Sequence, residues 1–259
     1  MSASDERAAR ARALRDRGPL LSLGLMAADP MRLGEELASM RRLGVDTVHL
    51  DIGDGRFCPL LLGGTPIVAA VPASVTKDVH LMVADPLAQL EAVVAAGAGI
   101  VTTHVEATAH PHRVLRALAG MEGPAGPVLR GVALNPGTPI GSVEPLLGEL
   151  ELVLVLAVDP GWRESQGQQA TAERLRAVRD LARASGRGDV LISVVGGIDA
   201  QAAETLARAG ADLVVAGSAL FGSEDPGGAV EELVAALGRA PKAGPDRRKR
   251  DGKSREEQA

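Results

Sequence analysis

Three histidines and two acidic residues fall at the ends of short apolar runs. His49 and Asp51 close one run, His80 closes the next, and His104 and Glu106 follow the run after that. Residues two apart on a strand point to the same side, so His49 and Asp51 share a face. Two imidazoles and a carboxylate can bind Zn²⁺, Fe²⁺, Mn²⁺ or Co²⁺. The sequence therefore predicts a divalent-metal site at His49, Asp51 and His80; the alternative is three hydrogen-bonded interior residues.

A second chemical signal comes late in the chain, where glycines follow two apolar runs. Gly196 and Gly197 follow one run, and Gly217 and Ser218 follow the next. Such turns expose backbone N–H groups, which bind phosphate at the start of a helix. A simple glycine turn is the alternative at either place alone, but the two together predict a phosphate site.

Eight β-rich runs alternate with stretches of helical spacing. The predicted strands are 19–25, 46–52, 76–82, 99–105, 129–135, 151–158, 189–195 and 211–216. The helical stretches include 31–43, 86–96, 171–185 and 199–209, and Asp199 is a capping residue for the last of these. Near-continuous Val, Leu and Ile strands separated by helices indicate a parallel sheet.

Eight strand–helix units in a chain of 259 residues favour a single (β/α)8 barrel, the TIM barrel. No GxGxxG motif follows the first strand, which argues against a dinucleotide-binding fold. We predict a polar N-terminal extension at 1–17, the barrel at 18–239, and a charged, disordered tail at 240–259. In such a barrel the carboxyl ends of the strands carry the active site, where the polar residues above collect.

Composition limits the classes of partner that the protein is expected to bind. The net charge of −5 argues against a nucleic-acid partner, which would call for a basic face. No apolar run reaches the roughly 18 residues that span a membrane, and the first residues lack the pattern of a signal peptide. The single cysteine, Cys58, excludes an intramolecular disulfide. We expect a cytoplasmic protein that binds a phosphorylated ligand; a homo-oligomer is left open.

A series of short motifs occurs in order along residues 19–225. They are Ala28-Asp29, Arg32-Leu33-Gly34-Glu35-Glu36, His49-Leu50-Asp51, Asp54-Gly55, Phe57, Pro59, Asp78-Val79-His80-Leu81-Met82, His104-Val105-Glu106-Ala107, Leu134-Asn135-Pro136, Thr138-Pro139, Asp159-Pro160-Gly161, Gly196-Gly197-Ile198 and Ala216-Gly217-Ser218-Ala219-Leu220-Phe221-Gly222. With these motifs the chain resembles the ribulose-phosphate 3-epimerase family.

The resemblance implies a ribulose-phosphate-binding TIM barrel and a metal-assisted 3-epimerisation of a ketose phosphate, in pentose phosphate metabolism. The reaction passes through an enediolate, with one acid/base group on each face of the carbon. His49, Asp51 and His80 would be metal ligands, and Asp51 would also be one acid/base. Met82 would lie in the substrate pocket.

The same resemblance exposes departures around the site. The family's second catalytic Asp falls at Val195, which can neither bind a metal nor transfer a proton. The family's strand-1 serine falls at Gly24, and two pocket methionines fall at Gly53 and Leu156. The glycine-rich phosphate loop after strand 6 is replaced by Trp162-Arg163-Glu164-Ser165. With one carboxylate ligand missing, we predict that the metal is weakly held.

Three functions stay open from the sequence. The first is epimerisation, with Asp159, Glu106 or His104 replacing the missing proton donor. The second is an isomerase or lyase that needs only one base, Asp51. The third is a non-catalytic or catalytically altered phosphosugar-binding relative, which Val195, Gly24 and Gly53 favour.

Overall fold

A closed ring of parallel strands forms the centre of the protein, for which a computed structural model describes residues 2–162 and 167–238. The strands of the ring in these ranges are β1 Leu20–Gly24, β2 Thr47–Asp54, β3 Thr76–Met82, β4 Ile100–His104, β5 Leu129–Leu134, β6 Leu152–Leu156, β7 Leu191–Val195 and β8 Leu213–Ala216. Each pairs with the next, and β1 pairs with both β2 and β8, which closes the ring. The prediction of a single (β/α)8 barrel is confirmed, and each strand matches its predicted run to within two residues at either end.

Helices surround the ring. They are α1 Ala3–Asp16, α2 Leu33–Arg42, α3 Thr65–Ala70, α4 Leu90–Ala95, α5 Pro111–Ala119, α6 Gln168–Ala184, α7 Ala200–Arg208, α8 Ser218–Phe221 and α9 Pro226–Gly238, with 3-10 segments at Leu25–Ala27, Leu87–Gln89, Val105–Ala107 and Ile140–Glu149. The predicted stretches 31–43, 86–96, 171–185 and 199–209 appear as α2, α4 with its preceding 3-10 turn, α6 and α7. Asp199 caps α7, because its Oδ1 accepts the N–H of Ala202 at 2.8 Å.

Two apolar layers hold the barrel together. The outer layer lies between the strands and the helices, and the inner layer lies inside the ring. At the amino ends of β4 to β8 the inner layer contains Ile100, Leu129, Leu152, Leu191 and Leu213, the first residue of each strand. The ring interior at these strand starts is therefore apolar, and buried ion pairs of Arg130 with Glu151 and of Arg179 with Asp212 lie beside it. His80 and His104 lie nearer the carboxyl ends of their strands.

Helix α1, within the segment predicted as a polar extension, packs across the amino-terminal end of the barrel. Ala11 is buried in the inner apolar layer, and Leu14 packs against the same layer. The buried side chain of Arg7 donates to the carbonyl oxygen of Ala119 at 3.3 Å, and its Nε lies 3.7 Å from Glu151. The first residues thus cover one end of the barrel.

The loop after β2, residues 55–63, crosses the opposite end and is called the mouth loop below. Asp54 fixes its start by accepting the N–H groups of Arg56 and Phe57 at 2.8 and 2.9 Å. Its middle reaches the loop after β6, where a Cβ at Gly161 would lie 2.8 Å from Cδ of Pro59. Since β2 and β6 are four places apart in the ring of eight, the mouth loop spans the barrel opening.

Parts of the predicted picture fall outside the described residues. These are the charged tail at 240–259 and the Arg163, Glu164 and Ser165 portion of the loop after β6; Trp162 before it is 65% exposed. Over the described ranges, no helix has both the length and the apolar character needed to cross a bilayer.

Candidate active site

His49, Asp51 and His80 converge at the carboxyl end of the barrel. The pairing of β2 with β3 sets Asp51 beside His80, and the alternation of the strand turns His49 to the same side as Asp51. Asp51 Oδ1 lies 2.8 Å from His80 Nδ1 and 3.3 Å from His49 Nε2. One potential ligand atom from each of the three residues lies within 4.8 Å of the others. The structure therefore brings together the three residues predicted as metal ligands.

Asp78 supports this cluster from below, a role that the sequence reasoning missed. Its Oδ2 lies 2.8 Å from Nδ1 of His49, and both side chains are fully buried. An ionised carboxylate accepts only, so His49 Nδ1 carries the proton and donates it to Asp78. Burial opposes a charged imidazole, but Asp78 and Asp51 outweigh it and raise the pKa of His49 to about 10. Aligning β2 with β3 so that Asp51 lies beside His80 also puts His49 beside Asp78, and this alignment could have identified Asp78.

The two other members of the cluster have pKa values shifted downward. Burial opposes ionisation of Asp51, yet His49 and His80 hold the pKa of that carboxyl well below its usual range. Burial, with a smaller contribution from the neighbouring His104, lowers the pKa of His80 to about 4 against the opposing effect of Asp51. Asp51 is therefore a carboxylate, and His80 favours a neutral ring.

Three features make the cluster fit a divalent cation. His49 Nε2 is buried and faces Asp51 Oδ1 at 3.3 Å without the geometry of a hydrogen bond. His80 Nδ1 lies 2.8 Å from the same carboxylate oxygen, so either a proton or a cation has to lie between the two atoms. Two imidazole nitrogens and one carboxylate are also donors that Zn²⁺, Fe²⁺, Mn²⁺ and Co²⁺ accept. These residues could hold such an ion.

His104 and Glu106 extend the cluster onto β4 and the turn after it. His80 Nε2 lies 2.8 Å from His104 Nε2, and His104 Nδ1 lies 3.1 Å from Glu106 Oε2. The other carboxylate oxygen of Glu106 accepts from the backbone N–H of Asn135 at 2.9 Å and from the hydroxyl of Thr138. Burial opposes ionisation of Glu106, but these hydrogen bonds lower its pKa to about 2.

The opposite side of the opening is apolar. Val195 ends β7 and packs against the inner apolar layer, beside Leu156 of β6 and Val215 of β8 in the register. β7 lies four places from β3 in the ring, so Val195 and His80 come from opposing strands. The polar groups therefore occupy one wall, formed by β2, β3 and β4, and Val195 belongs to the facing wall.

The mouth loop covers the polar wall. The ring of Phe57 lies 4.6 Å from the ring of His104, centre to centre. A Cβ at Gly53 would lie 2.6 Å from the carbonyl oxygen of Leu60 and 3.0 Å from Sγ of Cys58, so the loop fills the space of a side chain there. Met82, predicted in the pocket, is buried at the end of β3, and its carbonyl oxygen lies 4.0 Å from Cys58 Sγ.

The four residues predicted to bind phosphate lie at the carboxyl ends of β7 and β8. Gly196 and Gly197 follow β7 with φ angles of 121° and 60°, and Gly217 and Ser218 lead from β8 into α8. Gly217 packs against the end of β1, since a Cβ there would lie 2.7 Å from the carbonyl oxygen of Gly24. The structure thus places both glycine turns on neighbouring strands at the same end of the barrel as the His and Asp cluster.

Comparison with known proteins gives a family match over most of the chain. Residues 20–221 match the model of the ribulose-phosphate 3 epimerase family. The chain is 36% identical to ribulose-phosphate 3-epimerase of Bacillus subtilis over 211 residues, which covers 81% of this chain and 95% of that protein. It is 39% identical to the enzyme of the same name from Rhodobacter capsulatus over 210 residues, covering 80% of this chain and 87% of that protein.

Solved structures agree on the fold. Orotidine 5'-phosphate decarboxylase from Pyrococcus horikoshii superposes with a TM-score of 0.60 at 17% identity, covering 84% of this chain and 99% of that one. A 3-hexulose-6-phosphate synthase superposes with a TM-score of 0.54 at 21% identity, covering 85% and 99%. At these identities the likeness concerns the barrel alone.

Proposed function

The chain belongs to the ribulose-phosphate 3-epimerase family, and we propose that it catalyses the metal-assisted 3-epimerisation of a ketose phosphate, with a pentulose 5-phosphate as the substrate class. The observation that carries this proposal is the convergence of His49, Asp51 and His80 at the carboxyl end of the barrel. The reaction removes the proton on the carbon beside the ketone and returns a proton to the other face.

His49 Nε2, Asp51 and His80 Nδ1 would hold one divalent ion, of zinc, iron, manganese or cobalt. When bound, the ion neutralises the negative charge that develops on the substrate oxygens, without which this carbon acid is too weak. Val195 adds no fourth ligand, so the ion would be held less tightly than by a site with a second carboxylate. Asp78 keeps the His49 ring turned so that Nε2 lies towards Asp51, where an ion would bind.

Asp51 is the proposed general base. Its carboxyl group is ionised because its pKa is well below the usual range, and its side chain is 22% exposed while His49 and His80 are buried. Asp51 can therefore reach a substrate in the opening while touching both imidazoles. Removing a proton from one face of the substrate leaves an enediolate that needs a proton from the other face to complete inversion.

The proton donor for the other face is proposed to be Asp159, acting through water. Asp159 is exposed in the loop after β6, and β6 lies opposite β2 in the ring. His104 and Glu106 fit this role less well, because both ring nitrogens of His104 have partners and Glu106 accepts three hydrogen bonds.

The phosphate group would bind at the ends of β7 and β8. Gly196 and Gly197 leave their backbone N–H groups unscreened by side chains, and the N–H groups at the start of a helix have no partner within it, as at Gly217 and Ser218. These turns are next to each other in the ring and adjoin the β1 end through Gly24. Met82 would pack against the sugar from the polar wall.

A second candidate is a catalytically altered relative that binds the phosphosugar without inverting it. The specific observation in its favour is Val195, which packs against the inner apolar layer beside Leu156 and Val215. If no water-borne donor acts from that wall, Asp51 would exchange the substrate proton on one face only. Complete loss of chemistry would leave a binding protein.

Incubation with ribulose 5-phosphate and a divalent metal in D₂O tests these readings. Xylulose 5-phosphate carrying deuterium at C3 is the expected product. Deuterium at C3 without xylulose 5-phosphate would replace the epimerase proposal with one-face exchange. If neither appears while calorimetry detects ribulose 5-phosphate binding, the protein is a phosphosugar-binding relative.

A further inference from the structure

Six buried or half-buried side chains form a continuous row across three neighbouring strands. The row runs Asp78, His49, Asp51, His80, His104 and Glu106, and each side chain lies within 3.3 Å of the next. Its first part surrounds the proposed metal position. His104 and Glu106 lie beyond that position. Of the three proposed metal ligands, only His80 contacts them, through His104. Neither residue has a task in the reaction proposed above.

The end of the row fixes where its protons lie. Glu106 is ionised and can only accept, so His104 Nδ1 must carry a proton and donate it to Glu106 Oε2. With a cation at Nδ1, His80 carries its proton on Nε2, and a His104 ring that donates from Nδ1 offers its Nε2 lone pair to accept that proton at 2.8 Å. With the proton of His80 on Nε2, its lone pair is on Nδ1, the atom that faces Asp51.

The packing holds this arrangement in place. His104 is fully buried, and the ring of Phe57 covers it at 4.6 Å. Glu106 is tied to the loop after β5 by the backbone N–H of Asn135 and by the hydroxyl of Thr138, so it cannot swing away from His104 without breaking both contacts. An imidazole with both nitrogens engaged and no access to water is suited to orienting a neighbour and not to exchanging protons with a substrate.

We propose that Glu106 and His104 are positioning residues that hold His80 in the tautomer whose Nδ1 lone pair points at the metal. This inference rests on the proposed function, because it assumes that His49, Asp51 and His80 bind a divalent ion. The metal affinity would then depend on Glu106, which is separated from the ion by His104 and His80. Outer partners of metal-binding histidines commonly contribute 10- to 100-fold to affinity.

The test is zinc binding by isothermal titration calorimetry, together with ¹⁵N NMR of the imidazoles in the zinc-loaded protein. His104→Leu removes both hydrogen bonds, and we expect its zinc dissociation constant to rise about 10- to 100-fold. His104→Gln should recover most of the affinity, because an amide offers an acceptor and a donor at nearly the spacing of the ring nitrogens. In the wild-type protein, His80 should give the spectrum of an Nε2–H ring with Nδ1 deprotonated.

Three further variants distinguish a positioning role from a general loss of stability. Glu106→Gln should weaken zinc binding, since one amide oxygen cannot serve the three donors that Glu106 serves. Thr138→Val removes one of those donors but leaves the other two, so its loss of zinc affinity should be smaller than that of Glu106→Gln. His112→Gln alters a half-exposed histidine paired with Glu149 and serves as the control. Unfolding of each metal-free variant in urea shows whether a change in affinity follows a change in stability.

The outcomes distinguish the inference from the proposed function. If the wild type binds zinc and His104→Leu binds it equally well, or His104→Gln is no better than His104→Leu, the positioning role is wrong and the metal site stands. If His104→Leu does not fold, the other two variants decide. The positioning role is wrong if His104→Gln and Glu106→Gln both bind zinc as the wild type does and His80 is the Nδ1–H tautomer. If the wild type binds no zinc, manganese or cobalt, the metal site and the inference both fail.

Discussion

The Nε2 atoms of His80 and His104 lie 2.8 Å apart, so two buried imidazoles on neighbouring strands act as one polar unit. This contact connects the His49, Asp51 and His80 cluster to Glu106 and, through it, to the loop after β5. The chemistry-bearing side chains are consequently gathered on one wall of the opening, and Val195 lies on the facing wall.

Asp51→Asn should remove proton abstraction. The amide cannot accept the substrate proton, and general base catalysis contributes about 10²- to 10⁴-fold. We expect exchange of the C3 hydrogen of ribulose 5-phosphate in D₂O to fall by at least about 10²-fold. Asp180→Asn, at an exposed position on α6, is the matched control. Exchange at the wild-type rate in Asp51→Asn would mean that another group is the base.

Val195→Asp should supply the second carboxylate that the family resemblance implies at this position. The new side chain is close to valine in size, so the wall can accept it with little repacking. We expect tighter zinc binding by calorimetry, about 10-fold or more, and faster formation of xylulose 5-phosphate. Val195→Asn has the same shape without the charge and should show neither gain. If Val195→Asp changes neither property, residue 195 does not face the substrate.

Glu106→Gln should alter how stability depends on pH. The pKa of Glu106 is about 2 in the folded protein against 4.5 ordinarily, so its carboxylate stabilises the fold fully above pH 4.5. That contribution, at most about 3 kcal/mol, is lost as pH falls from 4.5 towards 2. In urea unfolding of the metal-free protein, the gap between wild type and variant should therefore narrow between pH 7 and pH 3.

The matched control for that experiment is Glu35→Gln, whose side chain is 74% exposed. Its difference from the wild type should stay small throughout the pH range. A gap for Glu106→Gln that is constant with pH would show that the hydrogen bonds to Glu106 do not depend on its charge.

Gly53→Met should displace the mouth loop. The new Cβ would lie 2.6 Å from the carbonyl oxygen of Leu60, and the loop has to move to admit the side chain. We expect a loss of about 1 to 3 kcal/mol in the free energy of unfolding and faster reaction of the buried Cys58 with a thiol reagent. Gly34→Met, where a Cβ meets open space, should leave the thiol unreactive.

Ala11→Glu should detach α1 from the barrel. Ala11 is buried in the inner apolar layer, so the substitution places a carboxylate among leucines or forces the helix away. We expect a loss of about 2 to 4 kcal/mol in the free energy of unfolding. Ala13→Glu, at an exposed position on the same helix, should cost little. Equal stabilities would contradict the packing of α1 described above.

The strands were predictable because each is a near-continuous Val, Leu and Ile run between helical stretches, which is the pattern of a buried parallel sheet. The shared face of His49 and Asp51 followed from the two-residue period of a strand. These local periodicities suffice for the eight strands and for two of the three proposed metal ligands.

The contacts of Asp78 with His49 and of His104 with His80 were not predictable in the same way. They depend on the register between neighbouring strands, which the lengths of the intervening helices and turns decide. The packing of helix α1 against the barrel was not predicted for a different reason. Its buried stripe consists of Ala11, Leu14 and the aliphatic part of Arg7, which an Arg- and Ala-rich sequence conceals.

Helix α1 and the mouth loop close the two ends of the same cylinder. An ion seated between His49, Asp51 and His80 would have leucines and a helix beneath it, with Phe57 and its loop above. Asp51, whose side chain is 22% exposed, would then be the ligand nearest to solvent, so ion and substrate would enter by the same route and a bound substrate would block the exit of the ion.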